Sequence, residues 1–108
     1  MAQKTAHTLI CIIVNSGYGE TVMQAARKAG APGGTIIDAK GTGTEQDMNF
    51  FGIEIIREKE TVLIVTETEA AAGICDAVKK LPCFEKNGSG IIVTLAADSC
   101  FHLGAPPA

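Results

Sequence analysis

Two glycine-containing loops carry the residues best suited to hold a ligand. Lys40-Gly41-Thr42-Gly43-Thr44 follows an apolar run, and Lys86-Asn87-Gly88-Ser89-Gly90 precedes one. Glycine lets a ligand approach the main chain closely. Successive backbone N–H groups can then form an anion-holding nest. Lys40 and Lys86 stand ready to add positive charge. Neither loop is a Walker A sequence, because no Gly-Lys-Ser/Thr follows at the needed spacing. A Gly-x-Gly alone is also an ordinary turn signal, so these loops need support from elsewhere in the chain.

Other chemistry is sparse. His7 and His102 are separated by most of the chain, and the cysteines at 11, 75, 83 and 100 form no CxxC pair. These spacings match no zinc ribbon or finger. Reduced thiols are expected, with Cys11 and Cys75 buried as small apolar groups. Cys83 and Cys100 lie in less regular segments and are the one candidate redox pair. No nucleophile is paired with a base, and no two carboxylates are set at a cleft by spacing, so an enzyme is not expected. Glu54, Glu58, Lys59 and Glu60 read as a solvated surface. Phe50-Phe51 reads either as packing against a sheet edge or a neighbouring subunit, or as a partner-docking tip.

A chain of 108 residues suits a single domain spanning 1–108. Aromatic residues make up only 5% of it, so the core must be built from Ile, Val, Leu and Ala. The net charge of −3 leaves no electrostatic footprint for nucleic acid. No apolar run approaches the ~20 residues of a membrane span. The start, Met1-Ala2-Gln3-Lys4, lacks the order of a signal peptide, and a cytoplasmic location is expected.

Two strand-helix-strand units must position the loops. The first has a strand from His7 to Val14, a helix from about Tyr18 to Ala29, and a strand from Thr35 to Lys40. Val22, Ala25, Ala26 and Ala29 form its apolar stripe. Asn15-Ser16-Gly17 supplies the turn and a helix cap. The second has a strand from Thr61 to Thr66, a helix from about Ala70 to Leu81 stopped by Pro82, and a strand from Gly90 to Ala96. Ile74, Ala77, Val78 and Leu81 face inward from that helix. Between the units a loop is expected over about 42–53, with Ile53 to Arg57 briefly extending the sheet. The tail over about 104–108 is expected to be loose. The order β-α-β-β-α-β is the α+β, ferredoxin-like plan.

The strands are apolar on consecutive residues: Ile12-Ile13, Ile36-Ile37, Val62-Leu63-Ile64-Val65, Ile91-Ile92-Val93. A sheet with one wet face should alternate. Two helices cover one face only, so the other face is expected to be shielded by further copies of the same chain.

From Ala25 to Glu45 the chain reads Ala-Ala-Arg-Lys-Ala-Gly-Ala-Pro-Gly-Gly-Thr-Ile-Ile-Asp-Ala-Lys-Gly-Thr-Gly-Thr-Glu. Gly30 fits a helix C′ position, Pro32 prevents continuation, and Gly33-Gly34 free the chain to turn. This segment resembles the nitrogen-regulatory PII family at the end of helix one, strand two and the base of a long effector loop. The likeness is fair over Val62–Val65 and Gly88–Val93.

The resemblance implies a homotrimeric sensor that binds an adenine nucleotide between subunits and regulates a partner, such as a transporter or metabolic enzyme. It implies a base held near Thr35 and by the main chain of Val65 and Thr66. Lys40, Gly41, Gly43 and Thr44 would line the effector-loop root. Asn87, Gly88, Ser89 and Gly90 would stand in for the phosphate loop, and Phe50 and Phe51 would lie in the partner-docking loop. The family's phosphate loop reads Gly-Asp-Gly-Lys, so a lysine is missing here. Phe101-His102-Leu103 replaces the arginines that reach a neighbour's phosphates. AMP or ADP is therefore more compatible than ATP, since each charge-assisted contact is worth only ~1.5–3 kcal/mol. The loop contains no tyrosine, which excludes uridylylation at the family's usual site; Tyr18 stands at the start of helix one. The alternative is a metal-responsive or structural trimer resembling the copper-tolerance proteins, using His7, His102 or the cysteines.

Overall fold

The structure, a computed structural model, describes residues 6–41, 49–50, 53–54, 58–84 and 90–104, the two short pairs by backbone alone. In chain order the elements are β1 (His7–Asn15), α1 (Gly19–Lys28), β2 (Thr35–Lys40), β3 (Asn49–Phe50), β4 (Ile53–Glu54), β5 (Glu58–Glu67), α2 (Thr68–Lys79), a 3-10 turn (Pro82–Phe84) and β6 (Gly90–Ala97). The main sheet has the order β2-β5-β1-β6 with every neighbouring pair antiparallel. β1 and β2 therefore run parallel with β5 inserted between them, the split β-α-β arrangement of the ferredoxin-like plan.

The β1 burial pattern explains the consecutive apolar residues. Thr8, Ile10, Ile12 and Val14 are buried, while the residues between them are half-buried. The buried set meets Val62 and Ile64 of β5, Val22, Met23 and Ala26 of α1, and Ala71, Ile74, Cys75 and Val78 of α2 in one core. Each such aliphatic side chain contributes roughly 1.5–3 kcal/mol on full burial. The expected helix stripes are shifted by one position in places. Met23 is buried where Ala25 and Ala29 are half-buried, and Cys75 is buried where Ala77 is half-buried.

Among the described residues no helix lies on the opposite face, because both pack on the first. The strand register sets its residues in rows. One row joins Ile37, Thr61, Ile13 and Ile91; the next joins Thr35, Leu63, Cys11 and Val93; a third joins Val65, Leu9 and Leu95. Ile37, Val65, Ile91, Val93 and Leu95 are between 44% and 56% exposed. Cys11, expected in the core, instead belongs to this face and is half-buried. The period-two pleat puts it beside Leu9 and Ile13, opposite to Ile10 and Ile12.

The ends of α1 are tied in two different ways. At its C-terminus, Gly30 has φ +111, its N–H donates to Arg27 O at 3.0 Å, and Ala31 N–H donates to Ala26 O at 2.9 Å. That pair of bonds is the Schellman arrangement expected of a C′ glycine. Gly34 then passes close to β5, where a Cβ would sit 2.7 Å from Met23 Sδ and 2.9 Å from Leu63 O.

At the N-terminus the expected local cap from Asn15-Ser16-Gly17 is replaced by a distant one. Tyr18 is the N-cap and makes no side-chain cap bond. Instead Glu60 Oε1 accepts from Gly17 N–H at 3.0 Å and Gly19 N–H at 2.8 Å. A carboxylate there also suits the helix dipole. A Cβ on Gly19 would lie 2.8 Å from the same oxygen, so a bare glycine makes room for it. Lys59 Nζ likewise donates to Asn15 Oδ1 at 2.6 Å. Glu60 and Lys59 are therefore structural, where the sequence suggested a solvated surface shared with Glu54 and Glu58. Their pairing with Asp38, Ala39, Val14 and Asn15 starts β5 at Glu58, three residues before the expected Thr61.

Ile53–Glu54 pairs with Asn49–Phe50 in a separate two-stranded sheet and not with the main sheet, which corrects the expected extension for these two residues; residues 55–57 lie outside the described residues. Phe51 and residues 105–108 lie outside the described residues. Cys83 and Cys100 are not a redox pair either. Cys83 precedes Phe84, which lines a cavity with Ile12 and Val14, whereas Cys100 shares a cavity with His7 at the other end of β1. That distance far exceeds the ~7 Å Cα separation a disulfide tolerates. All four thiols are free.

Two outcomes test these contacts. Glu60→Ala should lower unfolding stability by about 1–2 kcal/mol in urea titration; an unchanged midpoint would dismiss the long-range cap. Burial raises the Cys75 thiol above its usual value, with Asp76 adding to the rise and Lys79 opposing it. Above about pH 8.5 the unfolded chain's thiol ionises while the folded one keeps its proton. Stability should therefore fall with rising pH through that window, and Cys75→Ala should flatten the decline.

Candidate functional site

Among the described residues, the expected ligand-holding positions fall in three separate places. Thr35 opens β2 and pairs with Leu63, so it stands on the helix-free face beside the row of Val65. Val65 is exposed and Thr66, the next residue, is buried on the helix side opposite Thr8. The second place is the far end of β2, where Lys40 pairs with Glu58 and Gly41 leaves the strand. The third is Gly90, the first residue of β6, opposite Val14.

β2 and β6 are the two edges of the sheet, three strand spacings or about 14 Å apart. One chain therefore does not bring the effector-loop root and the phosphate-loop exit together. Gly43, Thr44, Asn87, Gly88 and Ser89 lie outside the described residues, as does Phe51; Phe50 is placed by its backbone in β3. Gly90 also has a packing reason for being glycine: a Cβ there would sit 2.7 Å from Ile13 O.

Two cavities flank β1. One of about 290 Å³ lies between the sheet and the end of α2, lined by Ile12, Val14, Val78, Phe84 and Ile92, with Lys79 and Gly90 beside them. The other, about 400 Å³, lies at the opposite end of the sheet and is lined by His7, Pro32, Val65, Thr66, Glu67, Cys100 and His102. Two of the expected base-contacting residues, Val65 and Thr66, thus line a cavity. Sequence spacing gave no hint that His7, Glu67, Cys100 and His102 would join them. The signal available was register: Ala97 pairs with His7, so the chain after β6 must leave from that end. Although the cavity gathers both histidines and a thiol, no three His, Cys, Asp or Glu side chains among the described residues are placed to hold a metal ion. Nor does any described helix have the length and apolarity to cross a membrane.

Solved structures share this architecture. A PII-like signalling protein from Thermus thermophilus superposes with a TM-score of 0.62 at 18% identity, over 84% of this chain and 85% of that one. The PII protein of Arabidopsis thaliana, solved bound to citrate, gives a TM-score of 0.71 at 17% identity, over 92% of this chain and 82% of that one. At such identities the likeness speaks for the fold. No curated protein sequence matches the chain. The sequence profile described as nitrogen regulatory protein P-II matches residues 7–101, nearly the whole chain, and the chain accordingly belongs to that family.

Proposed function

We propose that this protein is a PII-like regulator that binds an adenine nucleotide in clefts between the subunits of a homotrimer and signals to a partner protein through the segment 42–53. The carrying observation is the division of the candidate ligand residues between opposite sheet edges. Lys40 and Gly41 on the β2 side and Gly90 on the β6 side serve one ligand only if the β6 edge of one copy meets the β2 edge of another. The uncovered apolar face supplies the force for that assembly. Each half-exposed aliphatic side chain covered there recovers on the order of 1 kcal/mol.

Ligand contacts at the loop root would shift the 42–53 segment toward one conformation, and a partner such as a transporter or metabolic enzyme would read that shift. Regulation, not catalysis, is the role this reading assigns. The ligand charge follows from the cations available. With Gly90 where the family has lysine and Phe101-His102-Leu103 where it has arginines, a mono- or diphosphate suits the site better than a triphosphate. The citrate held by the Arabidopsis PII is likewise a small polyanion. Segment 42–53 and the Asn87-Gly88-Ser89 loop are assigned to this site by the family resemblance.

Isothermal titration with AMP, ADP, ATP and cyclic dinucleotides tests the ligand class. AMP or ADP should bind, and ATP should bind no tighter than ADP; silence across the panel would reject the sensor reading. Val93→Glu, which sets a charge at the centre of the open face, should yield folded single chains that bind no nucleotide. Retained binding by such chains would place the site within one subunit instead.

A further inference from the structure

Three segments far apart in the chain are stitched together at one end of the sheet. Ser16 N–H donates to Glu58 O at 3.0 Å, just past the end of β1. Lys59 Nζ donates to Asn15 Oδ1 at 2.6 Å. Glu60 Oε1 accepts from Gly17 N–H at 3.0 Å and from Gly19 N–H at 2.8 Å. The same stretch of β5 pairs with the end of β2: Glu58 with Lys40, Lys59 with Ala39, Glu60 with Asp38. The start of β5 is thus held by the β1–α1 turn, and it holds in its turn the strand that leads through Lys40 to Gly41.

The hold matters because β2 is a short edge strand. It has six residues, and β5 is its one neighbour among the described residues. A strand end with a single neighbour opens at low cost, so Lys40 and Gly41 keep their place only if Glu58 to Glu60 keep theirs. Bonds from backbone N–H groups to an ionised carboxylate are stronger than those to a neutral acceptor. The turn is shaped for this contact. Gly17 has φ +100, and a Cβ on Gly19 would meet Glu60 Oε1 at 2.8 Å. Glu60 alternates with the buried Val62 and Ile64, so its side chain stands on the helix side, and the face that carries Thr35 and Val65 is the other one.

Resting on the nucleotide reading above, we propose that Glu60 is a positioning residue for ligand binding: by clamping the β1–α1 turn to the start of β5, it fixes Lys40 and Gly41 where the ligand needs them. Its effect passes through the backbone of β5 and β2. Lys59 assists through Asn15.

Titration calorimetry on the full chain in its native assembly, with AMP and ADP as probes, tests the role. Glu60→Ala should weaken binding by about threefold to tenfold. Glu60→Gln keeps an oxygen for the two N–H groups and should restore most of that loss. Gly19→Ala removes no polar group and adds a better helix former, yet its Cβ displaces the carboxylate. It should weaken binding as much as Glu60→Ala does while lowering the urea midpoint less. All three variants should keep the solution mass of the wild type. Without nucleotide, amide hydrogen exchange over residues 35–41 should quicken in Glu60→Ala and Gly19→Ala, and exchange in β6 should not.

Affinity untouched by Glu60→Ala, affinity that merely follows the urea midpoint across the variants, or exchange over residues 35–41 at the wild-type rate would each overturn the positioning role. In those cases AMP or ADP binding by the wild type would still support the nucleotide reading. Absence of binding by AMP, ADP and ATP alike would overturn both.

Discussion

The sheet has two apolar faces, and the described helices cover one. Ile10, Ile12, Val14, Val62 and Ile64 sink under α1 and α2, while Leu9, Ile13, Ile37, Leu63, Val65, Ile91, Val93 and Leu95 share the uncovered side. Rows that cross three or four strands make that side one continuous patch. Monomeric proteins rarely expose patches of more than a few hundred Å². Covering it with other copies of the chain would remove the cost and would set clefts at the sheet edges, where copies would meet. Thr35, Lys40 and Gly90 stand on those edge strands, and Val65 and Thr66 on the strand next to β2.

Local devices keep the edges in place. Glu60 reaches from β5 to the start of α1 and holds two backbone N–H groups, so the β1–α1 turn is tied to the strand that separates β1 from β2. The Gly30 turn closes α1, and Gly34 lets the chain pass within contact of β5 before β2 begins. Thr35 and Pro32 are thereby set beside Val65. Gly30 is needed for its positive φ and Gly34 for its close approach to Met23 and Leu63.

Much of this was legible in the sequence because the signals are local. Runs of Ile and Val marked the strands, and Gly30 followed by Pro32 marked a helix end whose left-handed glycine is observed. Consecutive apolar residues announced the second greasy face. The Glu60 cap was not legible, since donor and acceptor lie 41 residues apart and each alone looks like a turn residue or a surface charge. Cys11 was misplaced because one register step moves a residue between faces. The cavity at His7 depends on where the chain runs after β6, and no periodicity encodes that. The separation of Lys40 from Gly90 likewise emerged only with the strand order.

The central claim is that the helix-free face is shielded by sister copies. Sedimentation equilibrium of the purified chain at low micromolar concentration tests it most directly. The account predicts a mass of three chains with no dissociation on moderate dilution. A compact species with the 11.2 kDa mass of one chain would contradict it.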